Sequence, residues 1–213
     1  MSHHPDATRP AVLQVQNLCF AWPDQPPLFD GLSVTLEPGL HLVRGDDGCG
    51  KSTLLALLAG VRADVSGSVV IDGVSLAADR AAFQACVFWM DPATDAFDAI
   101  SANAFFVAQS ERFPGFQPAL AHELAEALGL APHQRKPLYM LSAGSKRKVW
   151  LSAAMASGAP LTLIDQPFAA LDAPSTRQLR ELLTEASEHP SRAFVIADHE
   201  APAGLALGQV IEI

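Results

Sequence analysis

From Val12 to Arg44, apolar and polar positions alternate with a period of two, the pattern of strands that bury one face. Three strands are predicted there: Val12 to Phe20, Leu32 to Leu36 and Leu40 to Arg44. Pro23, Pro26 and Pro27 and the run Glu37-Pro38-Gly39 separate them. Thr53 to Ala59 is a strongly helical segment. Ser66 to Ile71 reads as a strand closed by a turn at Asp72-Gly73, and Cys86 to Trp89 as a short buried strand. From about Ala93 to Gly158 the pattern becomes helical, with loops at Phe113-Pro114-Gly115 and Ala131-Pro132-His133. Strand patterns return at Leu161 to Asp165, Ala193 to Ala197 and Gln209 to Ile213. The distribution predicts an α/β core (12–92 and 159–213) interrupted by a helical subdomain (93–158), all within one domain spanning 1–213.

The first chemistry lies between a predicted strand and a predicted helix. Gly45-Asp46-Asp47-Gly48-Cys49-Gly50-Lys51-Ser52 has the form G-x-x-x-x-G-K-[ST], in the strand–loop–helix context that this phosphate-binding loop needs. Its glycines let the backbone wrap so that successive N–H groups and the N-terminus of the helix opening at Thr53 point at phosphate oxygens. Lys51 then neutralises β- and γ-phosphate charge, and Ser52 ligates Mg²⁺. The chain is thus expected to bind a nucleoside triphosphate.

Composition narrows the setting. With 213 residues, 49% hydrophobic and 17% charged, the chain is an ordinary globular protein able to bury a substantial core. A net charge of −9 argues against a broad nucleic-acid surface, and no nucleic acid is expected as a partner. Three scattered cysteines, Cys19, Cys49 and Cys86, argue against a disulfide framework and, with the nucleotide site, favour the cytoplasm. Met1 to Pro10 holds no apolar signal region, and no run reaches the ~20 apolar residues of a membrane span. His122-Glu123 lacks the second histidine of a zinc helix, so no metal is assigned there.

Further motifs follow in order. Leu141-Ser142-Ala143-Gly144-Ser145 opens a helical segment, and Gly144 stands 21 residues before Asp165, room for a helix, a turn and a strand. Asp165 ends the apolar strand Leu161 to Ile164, where a buried carboxylate is costly unless it meets a cation. Seven residues on, Ala169-Ala170-Leu171-Asp172 precedes another apolar strand, which delivers Asp198-His199-Glu200. Upstream stands Phe20-Ala21-Trp22-Pro23. Together with the P-loop, this series resembles the ATP-binding cassette (ABC) ATPases across nearly the whole chain. The resemblance implies a P-loop core with a mixed sheet flanked by helices, an N-terminal antiparallel β-subdomain and an inserted helical subdomain.

It also implies roles for individual residues. Gly45, Asp46, Asp47, Gly48, Cys49, Gly50, Lys51, Ser52 and Thr53 hold the triphosphate (Walker A). Ser52 and Asp165 (Walker B), with Asp91 at the family's glutamine position, hold Mg²⁺. Ser142, Ala143 and Gly144 form a signature that grips the γ-phosphate of a second ABC subunit in a head-to-tail homo- or heterodimer. Asp172 lies in the D-loop, His199 is the switch histidine and Trp22 stacks on adenine, though Trp22 also reads as a packing tryptophan. The cofactors implied are ATP and Mg²⁺. An integral membrane permease is implied as partner, with the chain peripheral on the inner face of the cell membrane.

Departures from the pattern carry as much information. Gln166 stands where the family has the glutamate that polarises the attacking water. A neutral amide is no general base, and losing such a group costs about 10²–10⁴-fold in rate, or about 3–5.5 kcal/mol of barrier. Slow hydrolysis is therefore expected, with Gln166 orienting water through its carbonyl and His199 on the γ-phosphate. Ala143 and Ser145 replace a glycine and a glutamine of the signature, and Asp46 and Asp47 place carboxylates beside the phosphates. Cys49 reads as an inert small residue rather than a reactive thiol. The cluster Arg135, Lys136, Lys146, Arg147 and Lys148 reads as a solvated face. A permease is expected to dock near Asp91 to Ser110, where Phe105 and Phe106 read either as contact residues or as subdomain core. The function expected is the ATP-binding subunit of an ABC transporter, with a short form similar to the cytochrome c maturation ATPases. The alternatives are an impaired subunit paired with a competent one, or a soluble non-transport ABC ATPase.

Overall fold

A computed structural model describes residues 10–62, 65–91 and 93–213. Of the N-terminal segment read for a signal region, all but Pro10 lies outside the described residues. Two kinds of strand pairing are segregated into two sheets. The antiparallel sheet contains β1 (Leu13–Ala21), β2 (Pro27–Leu36), β4 (Ser66–Ile71) and β5 (Val74–Ser75), in the order β2-β1-β4-β5. The parallel sheet contains β3 (Gly39–Arg44), β6 (Val87–Trp89), β7 (Leu161–Asp165), β8 (Ala193–Asp198) and β9 (Val210–Glu212), in the order β6-β7-β8-β3-β9.

β2 begins at Pro27, five residues before the predicted start. Proline is tolerated there because it opens an edge strand, where its missing N–H leaves no ladder partner unsatisfied. The helices are α1 (Lys51–Leu58), α2 (Arg80–Ala85), α3 (Ala102–Arg112), α4 (Pro118–Ala127), α5 (Ala143–Ala156) and α6 (Ala173–Ser187).

The inner parallel strands β3, β7 and β8 are buried on both faces and divide their side chains between two cores. Phe194 and Ile196 join one core, whereas Ala193, Val195 and Ala197 of the same strand join the other. Alternation of side chains along a strand produces this division. The first core takes Leu179 and Leu183 of α6, much of α5 and the apolar faces of α3 and α4. The second takes Leu54, Leu55, Leu57 and Leu58 of α1 and the inner face of the antiparallel sheet. Phe105 and Phe106 are buried in the first core, which decides for subdomain core over permease contact.

One arginine ties these layers together. Arg192, just before β8, donates hydrogen bonds to the carbonyls of Ala154 (3.3 Å), Met155 (3.1 Å) and Ala159 (2.8 Å). It also donates to the hydroxyls of Ser157 and Thr162, each at 3.0 Å. The carbonyls of Ala154 and Met155 belong to the last turn of α5, where helix donors run out and Ser157 serves Ala154 O from its N–H at 3.4 Å and its hydroxyl at 2.9 Å. A cation there also suits the negative end of the helix dipole. Burial pushes the guanidinium down to about 10, so it keeps its charge at neutral pH.

Candidate functional site

α1 starts where β3 ends, and the loop between them is built by glycine. Gly50 caps the helix at φ 112°, a left-handed conformation in which a side chain is strained. The Lys51 ammonium, 6% exposed, folds back on the loop and donates to the carbonyls of Gly45 and Asp46, each at 2.7 Å. Asp46 and Asp47 lie in the exposed part of the loop. Cys49 is a free, half-buried thiol, and a Cβ at Gly45 would meet its sulfur at 2.5 Å, so sulfur and glycine pack together.

Beside this loop opens a cleft of about 430 Å³. Ser52 and Thr53 from the start of α1 line it, with Trp89 at the end of β6, Asp91 just beyond it, and Asp165 and Gln166 at the end of β7. Asp165 is 7% exposed, and among the described residues nothing hydrogen-bonds to its side chain. A buried carboxylate in that state is stabilised by a cation, and a serine hydroxyl on the same wall supplies a second hard oxygen, the donor set Mg²⁺ prefers. The residues present fit that ion.

Gln166 is held in an unusual shape. Its φ is 44°, uncommon for a residue with a side chain, and its N–H donates to Ala197 O at 2.8 Å, extending the β7–β8 pairing by one bond. The Asp91 carboxylate accepts from the N–H of Ala93 at 2.9 Å and is exposed.

Other predicted residues stand apart from the cleft. His199 is exposed, with its side chain 68% accessible, and its Nδ1 lies 2.8 Å from the Asp198 carboxylate. Trp22 is 37% exposed. Its ring meets Phe20 edge-on, and the Arg62 guanidinium lies over one face at 4.4 Å, so packing already uses part of the ring. Ser142, Ala143 and Gly144 open α5, where Ser142 Oγ caps the helix by accepting from the N–H of Ser145 at 3.2 Å. Asp172 caps α6 in the same way, accepting from Ser175 N–H at 2.8 Å.

Three consecutive cations of α5 are not a solvated face, which corrects the sequence reading. Lys146 pairs with Asp98, and Lys148 pairs with Asp172 at 2.6 Å. Arg147 turns inward and donates from Nη1 to the carbonyls of Asp165 (2.8 Å) and Gln166 (2.6 Å). Hydrogen bonding to Lys148 and to the Ser175 N–H holds the Asp172 carboxyl well below the usual carboxylate range. Successive side chains on a helix diverge by about 100°, so each cation reaches a different point.

The family model described as "ABC transporter" matches residues 29–169, from within β2 to just past Gln166. The chain belongs to this family. Its relatives include the cytochrome c biogenesis ATP-binding export protein CcmA of Pseudomonas syringae, 32% identical over 191 residues, covering 85% of this chain and 89% of that protein. They also include the taurine import ATP-binding protein TauB of Chromobacterium violaceum, 37% identical over 195 residues, covering 87% of this chain and 72% of that protein. Among solved structures, an ATP-binding cassette captured as a dimer in a post-hydrolysis state with ADP and Pi superposes with a TM-score of 0.73 over 88% of each chain, at 18% identity. One relative exports and another imports, so the likeness belongs to the ATP-binding chain shared by both directions of transport.

Within an ABC fold the observed positions divide into two surfaces. The P-loop, Asp165 and Gln166 face the cleft, whereas Ser142 to Gly144 do not line it. Sequence reasoning missed Arg147 and Arg192. For Arg192 the signal was faint, a lone arginine before an apolar strand. For Arg147 it was misleading, because basic residues on either side made a surface reading natural.

Proposed function

We propose that this chain is the ATP-binding subunit of an ABC transporter and hydrolyses ATP slowly. The observation that carries the reading is the cleft that brings Ser52, Asp165 and Gln166 together beside the Lys51 ammonium. The Walker A backbone of Gly45 to Ser52, with Thr53 at the first turn of α1, binds the triphosphate through N–H groups at a helix N-terminus. On binding, Lys51 exchanges the carbonyls of Gly45 and Asp46 for phosphate oxygens. Ser52 and Asp165, with Asp91 on the rim, would hold Mg²⁺, which would supply positive charge to offset that of the triphosphate. His199 moves from Asp198 to the γ-phosphate, and Trp22 offers its free face to adenine.

Gln166 positions the attacking water through its side-chain carbonyl but accepts no proton. Ser142, Ala143 and Gly144 serve the nucleotide of a second ABC subunit, consistent with their place outside this chain's own cleft. Asp172 steadies that surface from the D-loop. The resulting dimer drives a separate membrane permease at the inner face of the membrane. Among the described residues no helix is long and apolar enough to cross it. Val107, Tyr139 and Met140 are the large apolar side chains exposed on the helical subdomain, and they are the contacts proposed for the permease in place of Phe105 and Phe106.

The test is Gln166→Glu. In steady-state phosphate release with Mg²⁺ and ATP, the variant is expected to turn over about 10²–10⁴-fold faster than wild type. Equal rates would overturn the idea that the amide limits hydrolysis. A second reading, an impaired subunit paired with a competent ABC partner, draws on the same glutamine. It predicts ATP-dependent association with that partner and negligible turnover by the wild-type chain alone, and it too fails if wild type and Gln166→Glu hydrolyse ATP equally fast.

A further inference from the structure

We propose that Arg147 is a positioning residue: it fastens the turn after the Walker B strand to the signature helix of the same chain, so that Gln166 and the signature move as one body. The inference rests on the ATPase reading above.

The turn needs fastening. At Asp165 the chain leaves the parallel sheet, whose last β7–β8 pair is Asp165 with Ala197. The next residue, Gln166, adopts φ 44°. Such a conformation costs on the order of 1–3 kcal/mol and persists only where the surroundings over-determine it. Here they do so from both sides. Ala197 O receives the Gln166 N–H at 2.8 Å, and Arg147 Nη1 holds the Gln166 carbonyl at 2.6 Å while also holding that of Asp165 at 2.8 Å.

Arg147 is free for this work. Its neighbours Lys146 and Lys148 each pair with a carboxylate, but among the described residues none lies within salt-bridge distance of Arg147. Burial lowers its pKa from the ordinary arginine value, with Asp165 nearby acting in the opposite sense. A half-buried guanidinium without an ion pair is costly unless its donors are used, and the two carbonyls use them.

Two neighbouring contacts make the attachment a strap. A Cβ on Gly144 would stand 2.3 Å from Ala170 O, so the start of α5 touches the 165–172 segment backbone to backbone. Lys148 meets Asp172 at its far end. Residues 144, 147 and 148 thus grip three successive points of the segment that carries Gln166. In a head-to-tail dimer the signature reads one nucleotide while Gln166 addresses the other. Arg147 therefore links the two ATP sites mechanically within one chain.

The experiment compares the full chain with Arg147→Met and Arg147→Lys. Binding of the fluorescent analogue TNP-ATP, amide hydrogen exchange across 165–172, and kcat and KM in the Gln166→Glu background are measured. The Met variant is expected to bind within about 2-fold of wild type, to exchange at Ala169 to Leu171 about 10-fold faster, and to lose about 10-fold in kcat with KM nearly unchanged. Lysine, which can reach one carbonyl, should restore part of both losses and carries the test if the Met variant fails to fold. Unchanged exchange in Arg147→Met overturns the proposal, as does faster exchange with undiminished kcat. Failure of the wild type to bind TNP-ATP would instead sink the ATPase reading, and the exchange result would still decide whether Arg147 fastens the turn.

Discussion

The two ends of α5 are each held by an arginine, and they are held in opposite ways. At the C-terminal end Arg192 is half-buried, donates to five acceptors from α5, the following loop and β7, and stacks on Phe194 at 4.6 Å. At the N-terminal end Arg147 makes two bonds at the rim of the fold, flanked by lysines whose carboxylate partners are partly exposed. The first arrangement locks the helix to the core. The second holds that end of the helix only at the rim, through Asp98 and the 165–172 segment, with its cap toward solvent. A helix anchored at one end and tethered at the other transmits displacement, because the tethered end moves with whatever its partners do.

The largest expected effect comes from breaking the anchor. Arg192→Met leaves several buried carbonyls and hydroxyls without donors, at roughly 1–3 kcal/mol for each group that cannot relax. A loss of about 3–5 kcal/mol in urea-induced unfolding is expected, with ATP affinity preserved in the fraction that remains folded. A loss no larger than that of Arg147→Met would mean that the two ends are equivalent after all.

Gly144→Ala tests the tether next. Alanine in a helix is favoured over glycine by about 1 kcal/mol. Against this, the added Cβ at 2.3 Å from a backbone carbonyl forces a shift, and overpacking costs typically 1–3 kcal/mol. Overpacking should win, giving a net loss of about 1 kcal/mol together with faster exchange in the 165–172 segment. A gain in stability would show that the D-loop yields without cost.

The smallest effect is one of pH, and the two ends respond in different windows. His189, whose Nδ1 accepts from the Arg192 N–H at 3.0 Å, has its pKa lowered by burial and then by the Arg192 charge. Burial lowers that of His41 in β3 as well. The unfolded chain therefore takes up protons near pH 6.5 that the folded chain refuses. Stability from this source is complete above pH 6.5 and declines as the pH falls toward the lowered folded values. At the other end, the lowered pKa of Asp172 gives stability that is present above about pH 4 and is lost only as the pH falls further. Denaturation curves from pH 7.5 to 5 should show a modest decline, reduced in His189→Asn and unaltered in Lys148→Met. The same decline in all three chains would remove the proposed difference.

Much of this protein could be read from one sequence for definite reasons. The P-loop stood out because phosphate binding demands glycines, a lysine and a serine at fixed spacing, between a segment that reads as a strand and one that reads as a helix. Asp165 stood out as a charge at the end of an apolar run. α6 was passed over, although Asp172, Pro174 and the spacing of Leu179 and Leu183 form a helix start and an apolar face. α2, at six residues, is too short for its period to register. The start of β2 was hidden by Pro27, which marks a turn in most settings and is tolerated here only at an edge.

What the sequence determined by itself was local: which residues make strands and helices, where a triphosphate can sit, and that an amide stands in the place of a carboxylate. Those properties depend on neighbours a few positions away. The tertiary structure decided which charges are used and for what. Lys146, Arg147 and Lys148 are adjacent in the chain yet bind at three separate points, Asp98 and the two ends of the 165–172 segment, and Phe105 and Phe106 are core rather than surface. Their partners lie 18 to 48 residues away for the cations, and no period in a sequence encodes contacts made across packed layers.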